Sequence, residues 1–367
     1  MSFTKTIEFA NYTLNFGEDK VLLDAFDCIV FPSFFAQKYV RKFKDTEYFF
    51  TDTKIITLDT TDSDFIGPIV PTIALCGRII KKTIFKRDQI FRDGQLIRDH
   101  RTLESHPSSI FILMLNEHRL MLCKEVSGAP TLEEFENTSK YCLAQRYNSF
   151  VDYEVKKNIR IRKKKSYIDR LYKKDIYRKL GTPKLRVTPL TDPRSLSNFV
   201  ELFSVVNKLS IELLPTNSEN ISLDGFWRKI EQEKEELNSS KAQLVYTNQN
   251  EDGLNSEAVI QKTTSATRMA NSKVIISGKD EHGARLSGNN DSFTLKASRP
   301  QLSSDLERAA QEAYSAFTEL KDEGNIIIPE REDYTKIFSK LTSIISRWLK
   351  YEIYIQPRRS DQRAIFA

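Results

Sequence analysis

The stretch that decides the fold is SSIFILMLNEHRLMLCKEVSGAPTLEEF, residues 108–135. It contains two apolar runs, SSIFILML and HRLMLCKEV, which are separated only by Asn116 and Glu117. Two such runs joined by so short a loop predict an antiparallel hairpin over residues 109–124. Because both runs are almost continuously apolar, we expect the hairpin to be buried.

A helix start follows the hairpin directly. Thr131-Leu-Glu-Glu134 has the T-x-x-E spacing of a capping box, in which the hydroxyl and the carboxylate each accept a backbone N–H. Apolar residues on one side of the following turns, as far as Leu143, supply a face to bury. The sequence therefore predicts a helix that begins at Thr131 and ends at about Tyr153.

The regions on either side of this stretch differ in pattern. The N-terminal third alternates β-branched and aromatic residues between Asp, Gly and Pro, which predicts strands, with a helical turn around Phe34 to Phe43. Beyond Pro183 short elements alternate: a strand over LRVTPL, a helix over SLSNFVELFSVVNKL, and a pair of strands, KVIISG and SFTLKAS. Amphipathic helices from Leu306 and Tyr334 are expected to pack on this C-terminal sheet.

These patterns predict an α+β fold in three parts. We expect a strand-rich N-terminal domain over residues 1–150 and a basic helical arm or linker over 151–186. A C-terminal domain over 187–367 would combine a mixed α/β sheet, an antiparallel strand pair and packed helices. A second amphipathic helix is predicted from Ser166 to Leu180, and Gly181 ends it. Its expected buried stripe consists of Ile168, Leu171, Tyr172, Ile176 and Leu180.

Composition narrows the class of protein. With 367 residues, 40% of them hydrophobic and 29% charged, the chain is too apolar for wholesale disorder and too long for a disulfide-stapled module. Four scattered cysteines and an N-terminus without the order of a signal peptide predict a cytoplasmic protein with free thiols. No apolar stretch reaches the roughly 18 residues of a membrane span, so no membrane partner is expected.

The charge is concentrated in one segment. Residues 151–200 contain 15 Lys and Arg but 5 Asp and Glu, a local net charge of +10, whereas the whole chain carries +6. Concentrated charge of one sign creates a potential that attracts a polyanion. Nucleic acid, an acidic protein surface and an anionic membrane surface all fit that description, and nucleic acid is favoured.

Lysine and arginine neutralise backbone phosphates and release counterions, while interleaved tyrosines can stack on unpaired bases. A nucleic acid, with single strands slightly favoured over duplex, is therefore the expected partner, and the alternative is docking of an acidic protein. The residues predicted to bind are Arg160, Arg162, Lys163, Lys164, Lys165, Tyr167, Arg170, Lys173, Lys174, Tyr177 and Arg178.

Arg101 and His106 are candidates for catalysis. Their R-x4-H spacing resembles the motif of HEPN ribonucleases. The resemblance implies that both residues lie on a helix in a dimer cleft, where they act on the scissile phosphate and the 2′-hydroxyl. Pro107 follows at once and does not suit the interior of a long helix, so a polar loop is the alternative.

Asp52 and Lys54 imitate the D-x-K element of metal-dependent nucleases, in which the acid binds a metal and the lysine stabilises charge on the phosphate. Mg²⁺ is expected only in that case. A divalent ion held by Asp99, His100 and neighbouring residues is a further possibility, but we predict no metal site. No phosphate-binding loop or G-x-S-x-G motif occurs, and no other cofactor is expected.

Three features of the first 160 residues are similar to uncharacterised bacterial proteins found beside mobile-element and phage-defence genes. They are GPIVPTIALCGRIIKKTIF at residues 67–85, FILMLNEHRLMLCKE at residues 111–125, and the capped helix that leads into the charged region. The resemblance implies a bacterial cytosolic setting and raises the expectation of nucleic acid as the target. It implies no active-site residue.

Overall fold

The computed structural model describes residues 4–17, 20–35, 37–58, 72–165, 167–214, 225–239, 241–268, 270–328 and 334–349. Over these residues the chain combines a strand-rich N-terminal region with a C-terminal α/β part that contains a smaller antiparallel sheet. The predicted α+β class is therefore confirmed. None of the helices among these residues has the length and apolar character needed to cross a membrane.

A large antiparallel sheet forms the centre of the molecule. Its strands are β1 (Lys5–Phe16), β2 (Lys20–Val21), β3 (Arg41–Phe43), β4 (Thr46–Leu58), β5 (Thr72–Arg92), β6 (Gln95–Ser105), β7 (Ser108–Met114), β8 (Arg119–Lys124), β9 (Pro183–Pro189) and β14 (Lys296–Arg299). They follow the order β14-β1-β8-β7-β5-β4-β3, while β2 and β9 also pair with β1, and β6 pairs with β5.

The predicted hairpin is confirmed as β7 and β8, which pair from Ser109 with Lys124 to Met114 with Arg119. Both strands lie in the middle of the sheet. Phe111 and Leu113 face one hydrophobic core, whereas Ile110 and Ile112 face the other. A strand buried on both faces needs apolar residues at every position, which explains why this run shows no polar alternation.

Helices cover both faces of the large sheet. One face carries α2 (Leu132–Lys164), α1 (Phe31–Ser33), the helical turns Leu22–Ala25 and Phe26–Val30, and α8 (Tyr334–Ile344). The other face carries α7 (Leu306–Asp322). The two C-terminal helices thus pack on the large sheet, and the expectation that they cover the C-terminal sheet is wrong. Small residues along α7, such as Ala309 and Ala313, let it approach the strands closely.

The helical turn predicted around Phe34 to Phe43 is also misplaced, because the turns lie before residue 34 and Arg41–Phe43 forms β3. Phe34 instead inserts into a cluster of aromatic rings, 4.7 Å from Phe50 and 5.4 Å from Phe111 between ring centroids. Burial of the Phe34 ring in this cluster stabilises the chain just after the helical turns. The local sequence pattern does not indicate this contact, because Phe50 and Phe111 lie far away in the chain.

A smaller sheet forms in the C-terminal half. Its strands β10 (Val205–Leu213), β11 (Ala242–Thr247), β12 (Ser272–Lys279) and β13 (Arg285–Asn289) follow the order β11-β10-β12-β13. Helices α4 (Pro193–Glu201), α5 (Gly225–Glu236) and α6 (Ser256–Thr267) accompany them. The helix predicted over SLSNFVELFSVVNKL ends at Glu201, because its second half forms β10 and buries Leu209 in this sheet.

The predicted pairing of KVIISG with SFTLKAS is wrong. Strand β12, which contains the first run, pairs with β13, and part of the second run forms β14, which pairs with β1. Strand β9 also pairs with β1, from Phe16 opposite Pro183 to Ala10 opposite Pro189. The large sheet therefore includes strands from both sides of the basic segment, joined to β1 by backbone hydrogen bonds.

Candidate nucleic-acid interface

Helix α2 positions the first half of the basic segment. The predicted capping box is confirmed: Thr131 Oγ1 accepts the N–H of Glu134 at 3.2 Å, and Glu134 Oε2 accepts the N–H of Thr131 at 3.0 Å. The helix continues to Lys164, beyond the predicted end at Tyr153. Its fully buried positions end at Val151, so its last turns project into solvent. Cations in the last turn interact favourably with the negative end of the helix dipole.

After α2 the chain reverses direction without forming the long second helix that periodicity predicted. Helix α3 covers only Lys173–Leu180; Ser166, the predicted start, lies outside the described residues, and residues 167–172 are not helical. The side chain of Asn158 holds the returning chain, since its Oδ1 accepts the N–H of Leu171 at 3.0 Å and its Nδ2 donates to the carbonyl of Asp169 at 3.1 Å. These bonds satisfy backbone groups that a helix would otherwise pair.

Helix α3 is anchored to α2 and to the large sheet. The rings of Tyr147 and Tyr177 stack with centroids 5.8 Å apart, and the Tyr147 hydroxyl donates to the carbonyl of Gly181 at 2.5 Å. Gly181 has a φ of +76°, and a Cβ atom there would lie 2.2 Å from the backbone nitrogen of Gly17. Only glycine fits this position, so the chain beyond α3 is held in one place.

We call residues 156–179 the basic arm. It contains twelve residues that are Lys or Arg, two Asp and no Glu. Within the described part of the chain, no carboxylate lies within 4.0 Å of nine of its exposed cations. These nine are Lys156, Arg160, Lys163, Lys164, Lys165, Arg170, Lys174, Arg178 and Lys179.

Two of the predicted binding residues are engaged within the chain itself. Lys173 Nζ lies 2.6 Å from Asp152 Oδ1, and this hydrogen-bonded ion pair raises the pKa of Lys173 and lowers that of Asp152. Arg162 is half-buried, and its Nε donates to the carbonyl of Ile168 at 2.9 Å. Arg162 therefore stabilises the chain reversal, and Lys173 would have to leave a carboxylate before binding a phosphate.

The tyrosines of the arm differ in their availability. Tyr167 is 79% exposed, whereas one face of Tyr177 is covered by Tyr147. Sequence periodicity assigned Tyr172 to the buried stripe, but its side chain is 46% exposed and lies within 5.0 Å of Arg170 and 5.6 Å of Lys174, measured from ring centroid to cation. Arg170, Tyr172 and Lys174 alternate in the sequence as residues on one side of an extended segment do. This alternation was the signal that could have revealed the exposure of Tyr172 beside two cations.

Arg101 and His106 do not form the arrangement that the HEPN resemblance implies. Arg101 lies in β6 and His106 directly follows this strand, so five extended residues separate them by about 16 Å. The Arg101 Nε donates to Asp99 Oδ1 at 3.1 Å, and His106 Nε2 lies 3.7 Å from Glu104 Oε1. This segment is a strand, and not the helix that would place both residues on one phosphate.

Asp52 and Lys54 are directed toward different ion pairs. Asp52 has a φ of +55° at a β-bulge in β4, and its Oδ2 accepts a hydrogen bond from Arg78 Nη1 at 2.9 Å. Lys54 Nζ lies 2.5 Å from Glu307 Oε1 on α7. These contacts link β4 to its neighbours, and they engage the groups that a nuclease would need for a metal and a phosphate.

Asp99 and His100, in the middle of β6, likewise bind other partners. His100 Nδ1 lies 3.1 Å from Asp88 Oδ1, and Asp99 accepts hydrogen bonds from Arg87 and Arg101. Among the residues that the structure describes, no three His, Cys, Asp or Glu side chains are grouped so that they could hold a metal ion. The four cysteines are all free thiols, and three of them are buried.

Residues 147–322 match the profile of a family described as Domain of unknown function (DUF4747). The matching segment covers just under half of the chain. It begins within α2, includes the basic arm and the small sheet, and ends with α7. No curated protein matches the chain. The similarity thus includes the basic arm and β9 but not the N-terminal strand β1, with which β9 pairs.

Proposed function

We propose that this chain is a cytoplasmic nucleic-acid-binding protein that contacts the phosphate backbone through its basic arm. The observation that carries the proposal is the set of nine exposed cations that lack a carboxylate partner among the described residues. A cation that is already paired must exchange one anion for another, and the net gain is then small. An unpaired cation gains the whole interaction with a phosphate and releases a condensed counterion.

The rigidity of the arm supports the same function. Asn158 fixes the chain reversal, and the stacked pair of Tyr147 and Tyr177 fixes α3 against α2. The cations at the end of α2 and those on the returning chain and α3 therefore keep a constant spacing before any ligand binds. Binding to a pre-organised surface requires less ordering of the protein, which leaves more of the electrostatic attraction as affinity.

The alternatives have less support. A nuclease would need Asp52 or Arg101 to be available for a phosphate, and both are bound to oppositely charged side chains. An acidic protein partner would fit the same charges, and it is an outcome that the experiment below distinguishes. The mobile-element or phage-defence setting stays a prediction from the resemblance.

The test is a variant in which Lys163, Lys164, Lys165, Lys173 and Lys174 are changed to Gln. Its matched control changes five ion-paired lysines to Gln: Lys42, Lys86, Lys140, Lys241 and Lys340. Both variants lose the same charge. Fluorescence anisotropy with single-stranded DNA, RNA and duplex DNA of about 30 nucleotides would give affinity as a function of salt.

For duplex DNA we expect log affinity against log salt to slope by about −4 in the wild type if about five cations touch phosphate. The arm variant should lose most of this slope and at least about 100-fold in affinity at about 0.1 M salt, while the control changes by less than about 3-fold. Equal losses in the two variants would show that net charge alone matters. Absence of binding to all three nucleic acids by the wild type, with an acidic protein bound instead, would overturn the proposal.

A further inference from the structure

The hairpin formed by β5 and β6 extends beyond the large sheet. Strand β4 pairs with β5 only as far as Glu47 opposite Lys82, whereas β5 and β6 continue together from Thr83 to Arg92 and from Gln95 to Ser105. We call residues 83–105 the β5–β6 ribbon. Its turn, Asp93 and Gly94, has positive φ at both residues, as a two-residue hairpin turn of type I′ requires.

One face of the ribbon is both aromatic and cationic. Residues paired across two strands share a face, and alternate residues along a strand return to it. A bulge between Arg87 and Gln89 keeps the outer pairs on the same face as the inner ones. This face, the ribbon face, is formed by the pairs Phe85 with Leu103, Arg87 with Arg101, Gln89 with Arg98, and Phe91 with Leu96.

The apolar side chains of the ribbon face are unusually exposed. The exposed fractions are 57% for Phe85, 67% for Leu103, 74% for Phe91 and 69% for Leu96. Single exposed apolar residues are ordinary, but four large ones on one face of a projecting ribbon mark an interaction site. No part of the described chain covers them to the extent seen in the core.

Charge decides which partner fits. Three arginines share the ribbon face with one carboxylate, Asp99, which accepts hydrogen bonds from Arg87 and Arg101 and so orients both guanidinium groups. A second copy stacked on this face would bring arginines against arginines, which is unfavourable. Insertion of the ribbon into a membrane would place the charged apex residue Asp93 in the lipid first, which is costly. An anionic ligand with flat apolar surfaces meets neither obstacle.

We propose that the ribbon face binds the unpaired bases of a single-stranded nucleic acid by stacking them on Phe85 and Phe91. The proposal rests on the proposed function and names its ligand class. Alternate strand residues are about 6.6 to 6.8 Å apart, which is twice the 3.4 Å spacing of stacked bases. Arginine planes between the rings can also stack on bases and contact phosphates. The bases of a duplex already stack on each other and offer no free face.

The position of the ribbon sets the length of strand that reaches both surfaces. Glu134, near the start of α2, accepts a hydrogen bond at 2.7 Å from Lys81, which lies at the base of the ribbon. Lys164 ends α2 about 45 Å away along the helix axis. A stacked single strand needs about 13 nucleotides to cover that distance. Longer strands should therefore gain affinity by binding the ribbon and the basic arm together.

The test is the double variant Phe85→Ala with Phe91→Ala, compared with Ile84→Ala and Ile97→Ala on the opposite face of the ribbon. The full chain is titrated against oligothymidine of about 30 nucleotides, against oligothymidine of about 8 nucleotides, and against a duplex of about 30 base pairs. We expect affinity for the longer single strand to fall at least about 20-fold in the Phe variant, with an unchanged salt slope. Duplex affinity, and all affinities of the Ile control, should change by less than about 3-fold.

Replacement of both Phe residues by Tyr should keep the affinity, because tyrosine rings stack as well. Circular dichroism and sedimentation accompany each variant. An unchanged affinity of the Phe variant for the long single strand would overturn this inference, whereas a loss in the arm variant would still support the proposed function. A Phe variant that changes only the sedimenting mass would replace the inference with self-association. Absence of nucleic-acid binding by the wild type would overturn both.

Discussion

The basic arm and the β5–β6 ribbon both present cations to solvent, but they differ in the carboxylates around those cations. On the arm, nine exposed cations have no carboxylate partner among the described residues. On the ribbon, Arg87 and Arg101 share Asp99, and Lys86 lies near Asp45. The ribbon in turn exposes phenylalanines, which the arm lacks. Because a cation that already has a carboxylate partner gains little from a second anion, we expect the arm to attract a polyanion more strongly than the ribbon does.

The two regions are also held in place by different means. Hydrogen bonds of the Asn158 side chain hold the two halves of the arm together, and the Tyr147 hydroxyl bonds to Gly181 just beyond the arm. The ribbon depends on its own ladder of backbone hydrogen bonds and on the tight turn at Gly94. An isolated two-stranded hairpin is only marginally stable in water, so the ribbon is the region that binding would order most.

The largest expected effect separates two glycines that share a φ of +76°. We expect Gly181→Ala to lower the free energy of unfolding by at least about 3 kcal/mol, because a Cβ atom there would collide with the backbone of Gly17. Gly94→Ala should cost only about 1 kcal/mol, since nothing lies within 4 Å of its missing Cβ. Thermal and urea unfolding of the two variants would measure the difference. Equal costs would show that the arm is not tightly anchored.

A smaller effect is expected at Glu134, whose carboxylate near the start of α2 binds Lys81 at the base of the β5–β6 ribbon. Burial would raise the pKa of Glu134, but hydrogen bonds from Lys81, Tyr48 and the N–H of Thr131 outweigh it and lower that pKa below the ordinary 4.5. A lowered pKa contributes stability above the ordinary pKa, and that stability is lost as the pH falls through the lowered one.

Glu134→Gln should therefore cost about 1 to 2 kcal/mol at neutral pH, because the ion pair with Lys81 is lost and a neutral amide oxygen accepts the remaining hydrogen bonds more weakly. The difference from the wild type should shrink as the pH falls below 4.5. Urea unfolding at several pH values measures this. A difference that is constant with pH would mean that the charge of Glu134 contributes nothing.

The smallest effect compares two neighbouring lysines of the arm. Lys174→Gln should weaken duplex binding by about 8-fold at about 0.1 M salt, the value of one phosphate contact, while Lys173→Gln should change it less because Lys173 already binds Asp152. Asp152→Asn should strengthen binding, since it frees Lys173 and removes a negative charge. Anisotropy titrations give all three values. A larger loss for Lys173 than for Lys174 would contradict the importance of unpaired cations.

Local patterns in the sequence predicted the elements whose stability depends on near neighbours. The hairpin over residues 109–124 and the capping box of Thr131 and Glu134 are both confirmed, because a short loop and a pair of caps act within a few residues. The helix predicted from Ser166 failed in its first half. Its periodicity was real, but Asn158 and Arg162 on α2 offered residues 168–171 hydrogen bonds that compete with a helix.

The candidate site shows the same division. The concentration of Lys and Arg in residues 151–200 is visible without a structure, and so is their alternation with tyrosine. Which cations remain unpaired is not visible, because Asp152 and Lys173 are separated by twenty-one positions in the chain and meet only when α3 packs on α2. The exposure of Phe85 and Phe91 was equally hidden, since an apolar run in a strand is ordinarily buried.

The amino-acid sequence alone determined the α+β class, the central hairpin, the start of α2 and the location of the positive charge. These follow from composition and from interactions between residues close in the chain. Only the tertiary structure decided that β9 and β14 complete the N-terminal sheet, that the last helices pack on it, and that the ribbon projects beyond it. Pairing between distant strands depends on which surfaces meet when the whole chain is folded, and no local pattern carries that information.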